Sequence, residues 1–325
     1  MSDTGYTGFE VCHADLQDFV KTMQPFKLQG LNAIQSHRDE VNKKDTAESV
    51  LNQYGEHDGS SMTHEIVPLE GASLSVFTPT TECPTGGRPC LYFIHGGGFV
   101  TNNMYSGISS IIPCIKELNA VCVSIDYGLA PEVTAADRVD QCYTGLLKVW
   151  ELYGKQGQIN MKKIAVIGRS AGAALLVGLN LKLRQQNEIN IRCNVMSFPM
   201  VDNACNSASH AKFRNAPHLT HETAKSFWEA HLSGAGEGDK YAIPEKATID
   251  DLKGFPPTLV EVAAGDVLHD EGVEFYNKLG SAGVNAALAS FPGFHCFDGT
   301  KTELANKAKE NRLMYLKEQE VDPIS

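Results

Sequence analysis

The stretch that decides the fold is residues 164–186, IAVIGRSAGAALLVGLNLKLRQQ. Its apolar run Ile164–Ile167 predicts a buried strand, and the residues from Ala171 onward predict a helix. Between them lies Gly168-Arg169-Ser170-Ala171-Gly172, a GxSxG pattern. A sharp strand-to-helix turn needs small residues around the serine, because the backbone there is crowded and strained. Such a turn would hold the Ser170 hydroxyl above the edge of a sheet, at the positive end of a helix.

Apolar runs alternate with amphipathic segments on both sides of this stretch. Further strands are predicted at Thr63–Pro68, Ser73–Thr78, Leu91–Ile94, Ala120–Ile125, Val195–Phe198, Thr258–Ala263 and Ala286–Phe291. Further helices are predicted at Gly107–Leu118, Ala135–Tyr153, Val267–Ala282 and Glu303–Glu318. This alternation predicts βαβ units and a mainly parallel sheet. The first two strands alternate apolar and polar residues, which favours an antiparallel start.

Two segments interrupt the alternation. Residues 1–60 predict two or three polar helices and no strand, and residues 201–254 are rich in Asn, His, Gly and Ala. The clear helical piece of the second segment is His221–Leu232, whose apolar positions recur at helical spacing. This apolar face of the helix could pack against the main domain, or it could belong to a lid that covers a cleft.

Composition excludes several classes of function. The formal net charge is −11 over 325 residues, which argues against a nucleic-acid partner because phosphate binding needs clustered Lys and Arg. No apolar segment approaches the ~18 residues of a membrane span, and the first residues do not resemble a secretory signal. The nine cysteines form no CxxC pair. We therefore expect a cytoplasmic protein without a metal site.

A second motif, His95-Gly96-Gly97-Gly98-Phe99, follows the strand predicted at Leu91–Ile94. A flexible glycine turn would explain it, but glycines also let backbone N–H groups approach a developing alkoxide. The pairing of HGGG with a GxSxG turn is known from lipases and esterases.

An acid and a base follow Ser170 along the chain. Asp266 comes after the run 259–264, and His295 comes after the strand ending at Phe291, so both are expected at the sheet edge that carries Ser170. The rival acids are Asp270 and Glu271, and the rival base is His269. Since these rivals fall within the next predicted helix, surface or capping roles suit them better. His64-Glu65 and His221-Glu222 lack the second histidine of an HExxH zinc motif.

With these motifs the chain resembles the hormone-sensitive-lipase group of α/β-hydrolases, the alpha/beta hydrolase fold-3 esterases related to plant carboxylesterases. The resemblance covers roughly residues 65–300. It rests on HGGGF at 95–99, DYGLAPE at 126–132, GRSAG at 168–172, DVLHDE at 266–271 and GFHCF at 293–297.

The resemblance implies one α/β-hydrolase domain over residues 1–325, with a mostly parallel eight-stranded sheet flanked by helices. It also implies a helical cap, built from residues 1–60 and an inserted segment at 201–254. By position, Ser170 would be the nucleophile, His295 the general base and Asp266 its orienting acid. The backbone N–H groups of Gly97, Gly98 and Ala171 would form the oxyanion hole.

Two positions depart from the family pattern. Gly128 stands where arginine is usual, so we expect an ion pair near that loop to be missing. Arg169 precedes the nucleophile, where the family usually has an acidic, small or neutral residue. Arg169 could pair with a carboxylate, or it could favour a substrate bearing a carboxylate, phenolate or polarised carbonyl.

Candidate pocket residues are Phe99, Tyr105, Arg169, Phe198, Trp228 and Phe294, with Met104, Phe213 and Phe227 as further aromatic or apolar candidates.

The function expected from these features is a serine carboxylesterase acting on a small or medium acyl ester without a cofactor. The same scaffold could instead cleave a lactone or an aryl formamide, transfer an acyl group, or act as a lyase or cyclase of secondary metabolism. A non-catalytic ligand-binding receptor is a third class, disfavoured because His295 is retained. The expected partner is a small-molecule ester, and an exposed cap helix or sheet edge could support a homodimer.

Overall fold

The computed structural model describes residues 9–23, 31–186, 189–233 and 238–321. Within these residues one sheet contains eight strands: β1 (Met62–Leu69), β2 (Ala72–Pro79), β3 (Arg88–Ile94), β4 (Val121–Asp126), β5 (Ile159–Arg169), β6 (Cys193–Ser197), β7 (Thr258–Ala263) and β8 (Ala286–Phe291). The strand order is β1-β2-β4-β3-β5-β6-β7-β8. β1–β2 and β2–β4 are antiparallel, and the other neighbours are parallel. The predicted antiparallel start and parallel body are therefore confirmed.

Helices surround the sheet and precede it. They are α1 (Ala14–Thr22), α2 (Leu31–Lys44), α3 (Ala47–Gly55), α4 (Ile112–Glu117), α5 (Ala135–Val149), α6 (Ala171–Gln186), α7 (Ala208–Lys212), α8 (His221–His231), α9 (Ile249–Leu252), α10 (His269–Ser281) and α11 (Glu303–Glu318). Parts of the two segments expected to form a cap, residues 1–8, 24–30 and 234–237, lie outside the described residues.

The sheet has an apolar core on each face. Successive side chains of a strand point to opposite faces, and in β3 Tyr92 and Ile94 belong to the larger core while Leu91 and Phe93 belong to the other. Helices α5, α6 and α10 contribute to the larger core, and α3, α4 and α11 to the other. Burial on both faces explains why the strands appear in the sequence as continuous apolar runs.

Some element boundaries differ from the prediction, for local reasons. The helix expected from Gly107 begins as α4 only at Ile112, with Pro113 in its first turn, after a 3₁₀ turn at Ile108–Ser110. Strand β6 ends at Ser197 because Phe198 has a left-handed backbone (φ 52°). Helix α5 passes into a π turn at Trp150–Gly154.

Candidate active site

The GxSxG turn joins β5 directly to α6. Ser170 has a left-handed backbone (φ 53°), and its N–H donates to the Ser197 carbonyl over 2.8 Å. A Cβ atom added at Gly172 would lie 2.1 Å from the Ile94 carbonyl oxygen, and one at Gly168 would lie 2.6 Å from the Gly172 oxygen. Because backbone atoms cannot yield at such distances, the turn requires glycine at both positions.

Ser170, His295 and Asp266 meet at the carboxyl edge of the sheet. The Ser170 Oγ lies 2.9 Å from His295 Nε2, and His295 Nδ1 lies 2.6 Å from Asp266 Oδ2. The other carboxylate oxygen of Asp266 accepts the N–H of Leu268 over 3.0 Å. All three side chains are buried. An ionised Asp266 accepts from Nδ1–H, which leaves Nε2 free to accept the serine proton.

The protonation of His295 reflects this arrangement. Burial alone would lower the pKa of His295, but the Asp266 carboxylate outweighs it and holds the pKa well above its usual value of 6.5. The pair therefore stabilises an imidazolium, the form that the histidine takes after accepting a proton from Ser170.

The HGGG motif forms a tight loop beside Ser170. Gly97 (φ 104°) and Gly98 (φ 60°) have left-handed backbones, and a Cβ at Gly98 would lie 2.1 Å from a ring carbon of Phe227. Within the described part of the chain, no carbonyl accepts from the N–H groups of Gly97, Gly98 or Ala171. These donors therefore remain available to a bound group.

The side chain of His95 packs against this loop. Its ring stacks on Tyr127 at a centroid distance of 4.2 Å, and its Nδ1 lies 2.8 Å from the Gly96 carbonyl oxygen. The Tyr127 hydroxyl donates to the His95 carbonyl over 2.9 Å. Burial lowers the pKa of His95 to about 4, so the ring is neutral near pH 7. The histidine of HGGG and the tyrosine of DYGLAPE thus hold the glycine loop in place.

Arg169 pairs with a carboxylate of the protein, which was one of the two roles expected for it from the sequence. Its Nη1 lies 2.6 Å from Asp298 Oδ1, and its Nη2 donates to the Cys296 carbonyl over 3.0 Å. Asp298 also contacts Arg312 (2.8 Å), which binds Glu261 (2.7 Å). Two buried guanidiniums thus neutralise two buried carboxylates beneath the loop that carries His295.

The loop with Gly128 retains an ion pair, contrary to expectation. A Cβ at Gly128 would lie 2.4 Å from a methyl carbon of Val133. The cation comes from α2 instead: Arg38 donates to both Glu132 carboxylate oxygens over 2.8 and 3.0 Å. The same guanidinium donates to the carbonyls of Val100 and Ala130. Arg38 therefore fastens α2 to the loops beside the glycine motif.

The rival acids and base have other partners. Glu271 is 2% exposed, so the surface or capping role expected for it is wrong. Its carboxylate accepts the N–H groups of Val201 and Asp202 and lies 3.1 Å from His210 Nε2. These contacts tie α10 to the inserted segment. Asp270 accepts the N–H of Ser209 over 2.7 Å and lies 2.8 Å from His269 Nδ1.

A cavity of about 340 Å³ opens onto Ser170 and His295, with Gly97, Gly98 and Arg169 in its wall. The polar side chains of the wall include Asp45, Thr101, Asn102, Ser106 and Ser109. Its apolar side chains include Leu219 and Phe227. A larger cavity of about 530 Å³ lies between α5, α6 and residues 238–242. Ser170, His295 and Asp266 do not line it.

Five of the six candidate pocket residues do not line this cavity; only Arg169 does. The five aromatic side chains pack against other rings. Phe99 contacts Trp228 (centroids 5.5 Å), Phe198 contacts Phe297 (5.6 Å), Phe294 stacks on Phe19 (6.0 Å), and Tyr105 contacts His64 (5.9 Å). Packing in these ring clusters accounts for the aromatic side chains near the site.

Two histidines in the cavity wall were not predicted. His37 comes from α2 and His218 from the turn before α8. Both lie in segments without a strand, where the sequence offers no spacing that would point to the site. Phe227, a further aromatic candidate, does line the cavity.

Comparisons with known proteins agree with this fold. The profile of a family described as alpha/beta hydrolase fold matches residues 91–298. Vegetative-specific protein H5 of Dictyostelium discoideum is 31% identical over 225 residues, 66% of each chain. Ethyl acetate hydrolase of Pseudomonas putida is 27% identical over 231 residues, 69% of this chain and 71% of that one. The solved structure of a bacterial heroin esterase has a TM-score of 0.83 at 26% identity, covering 96% of this chain and 99% of that one.

The alignment spans 59–67% of the length of three of the curated relatives. Among the described residues, no helix has the length and apolar character needed to cross a membrane.

Proposed function

Since the chain belongs to the esterase-type alpha/beta hydrolases, we propose that it is a serine carboxylesterase with Ser170 as nucleophile. The observation that carries this proposal is the hydrogen-bonded series from Ser170 through His295 to Asp266, next to a glycine loop with available N–H donors. Nucleophile, base and orienting acid each follow a different strand, and together they form the arrangement that acyl transfer uses.

In the proposed reaction, Ser170 attacks the ester carbonyl while His295 Nε2 takes the hydroxyl proton. Asp266 keeps the Nδ1–H tautomer and stabilises the imidazolium. The N–H groups of Gly97, Gly98 and Ala171 receive the alkoxide; each such donor contributes roughly 10²–10³ in rate. His295 then protonates the leaving alcohol, and water hydrolyses the acyl-enzyme by the same steps in reverse.

A small or medium acyl ester is the substrate class that the cavity supports. Ligand sites commonly enclose roughly 300–1,000 Å³, and about 340 Å³ lies at the small end of that range. One relative is called ethyl acetate hydrolase, and its ester is small.

The cap is part of the same proposal. His37 and Asp45, from or next to α2, and His218, Leu219 and Phe227, from the inserted segment, line the cavity together with the residues of the main domain. Both segments therefore contribute to substrate binding in a single-domain protein.

A cytoplasmic location is supported by nine free cysteines. The homodimer stays a prediction.

The test is hydrolysis of p-nitrophenyl esters from acetate to palmitate by the wild type and by Ser170→Ala. We expect turnover that is highest for short chains and absent in the variant. Wild-type turnover on short chains that survives in Ser170→Ala would refute the proposal. If Ser170 is acylated but no ester is hydrolysed, the site serves acyl transfer instead.

A further inference from the structure

His218 is the one residue of the described inserted segment whose imidazole both lines the cavity and faces the proposed base. Its ring stacks on His295 at a centroid distance of 5.9 Å and an interplanar angle of 24°. Within the described residues, neither of its ring nitrogens has a hydrogen-bond partner, and the side chain is exposed to the cavity. A polar group in this position is available to a ligand.

The backbone holds the ring there under strain. His218 has φ 70°, a left-handed conformation that non-glycine residues seldom adopt. The N–H of Leu219 donates to the Pro217 carbonyl over 2.9 Å and closes the turn. Strained residues of this kind persist where the surrounding structure enforces them and occur often at ligand sites.

The charge state of the ring determines what it can bind. Partial desolvation in the cavity wall, helped by the nearby His295 and Arg169, lowers the pKa of His218. Asp266 opposes the shift without reversing it. Near pH 7 the imidazole is neutral, with one N–H donor and one acceptor nitrogen. It therefore suits an uncharged hydroxyl, which both donates and accepts.

The position of the ring indicates which half of an ester it meets. In the proposed reaction, which this inference presupposes, His295 Nε2 passes its proton to the leaving oxygen. The alcohol half of the substrate must therefore lie beside His295. The rings of His218 and Phe198 both contact His295, and of these two His218 lines the cavity. We propose that His218 is a specificity residue that binds a hydroxyl on the alcohol half, so that hydroxyalkyl esters are preferred substrates.

The test compares 2-hydroxyethyl butyrate with propyl butyrate, which have the same acyl group and equal numbers of heavy atoms. Each kcat/KM is divided by the rate of hydroxide-catalysed hydrolysis, which removes the difference in leaving-group reactivity. For the wild type we expect a preference of about 3- to 10-fold for the hydroxyl ester, typical of one hydrogen bond. A wild-type ratio near one overturns the inference.

Two variants separate hydrogen bonding from ring packing. His218→Phe keeps a ring against His295 but has no nitrogen, so the ratio should fall to about one while propyl butyrate is still hydrolysed. His218→Asn retains a donor and an acceptor and tolerates a left-handed backbone, so it should keep part of the preference. A ratio unchanged in His218→Phe overturns the inference. The exposed His57 offers a matched control, since His57→Phe should leave the ratio at its wild-type value.

The acyl half provides the remaining comparison, ethyl 3-hydroxybutyrate against ethyl 3-methylbutyrate. If His218 confers a preference for the hydroxyl ester of this acyl-half pair alone, the hydroxyl site lies on the acyl half of the substrate. That result would overturn the inference. Ser170→Ala distinguishes the two proposals. Turnover of both alcohol-half esters that survives in Ser170→Ala refutes the proposed function, whereas Ser170-dependent turnover with a ratio of one refutes only the role of His218.

Discussion

Replacing Asp298 by asparagine disrupts the buried charge network beneath His295. The carboxylate of Asp298 is fully buried and lies 2.6 Å from Arg169 and 2.8 Å from Arg312. With Glu261 beside Arg312, two positive and two negative charges cancel. In Asp298→Asn the two guanidiniums keep one carboxylate, and a net positive charge remains buried.

The expected loss of stability follows from that uncompensated charge. Removing one member of a buried ion pair commonly costs about 3–5 kcal/mol of unfolding free energy. With an unfolding entropy of about 2.1 cal/mol/K per residue and 325 residues, Tm should fall by about 4–7 °C. The same substitution should lower kcat, because Arg169 also holds the Cys296 carbonyl next to His295.

Thermal and urea unfolding of matched variants would check this. Arg169→Met combined with Asp298→Leu removes one charge of each sign, so the double variant should be more stable than Asp298→Asn. Glu303→Gln breaks the exposed pair with Lys307 and should leave Tm unchanged. A Tm change below about 1 °C in Asp298→Asn, or a double variant no more stable than the single one, would refute the reasoning.

Three further predictions concern the loop, the base and the cap. Gly98→Ala places a Cβ against Phe227 and should lower kcat/KM by about 10²–10³ through loss of a donor; adding Phe227→Ala should restore part of it, and full activity in the single variant would contradict the clash. The raised pKa of His295 means that the protonated, inactive form persists above pH 6.5. The pH profile of kcat/KM should therefore rise with pH and have its midpoint above 6.5; a midpoint at or below 6.5 would contradict the shift. Arg38→Met removes the contacts of α2 with Glu132 and should raise KM more than it lowers kcat, in steady-state kinetics on a short ester. An unchanged KM would show that the position of α2 in the cavity wall does not depend on the contact between Arg38 and Glu132.

The alternation of buried strands and helices made the fold predictable from the sequence. β7 and β8 have the predicted bounds, as do α6 and α11, because a buried parallel strand is a short apolar run with helices on either side. The mostly parallel eight-stranded sheet and the family were also confirmed. The start of α4 was missed because a 3₁₀ turn with the buried residues Ile108 and Ser110 leads directly into it.

The residues around Ser170 were predictable to the extent that strand ends position them. Asp266 and His295 follow strands that end at the same edge, so short-range patterns placed both near Ser170. The cavity wall depends instead on how α2 and the inserted segment fold over the sheet, which no local pattern encodes. His37 and His218 were missed for that reason, and Phe99 was assigned to the pocket although it packs against Trp228.

Labelling with a fluorophosphonate, followed by intact mass and peptide mapping, tests the proposed nucleophile most directly. The wild type should gain one adduct, on Ser170, and folded Ser170→Ala should gain none. His295→Ala should label far more slowly, because Ser170 then has no base. A folded wild type that stays unlabelled, or an adduct that persists in Ser170→Ala, would contradict the assignment of Ser170 as the nucleophile.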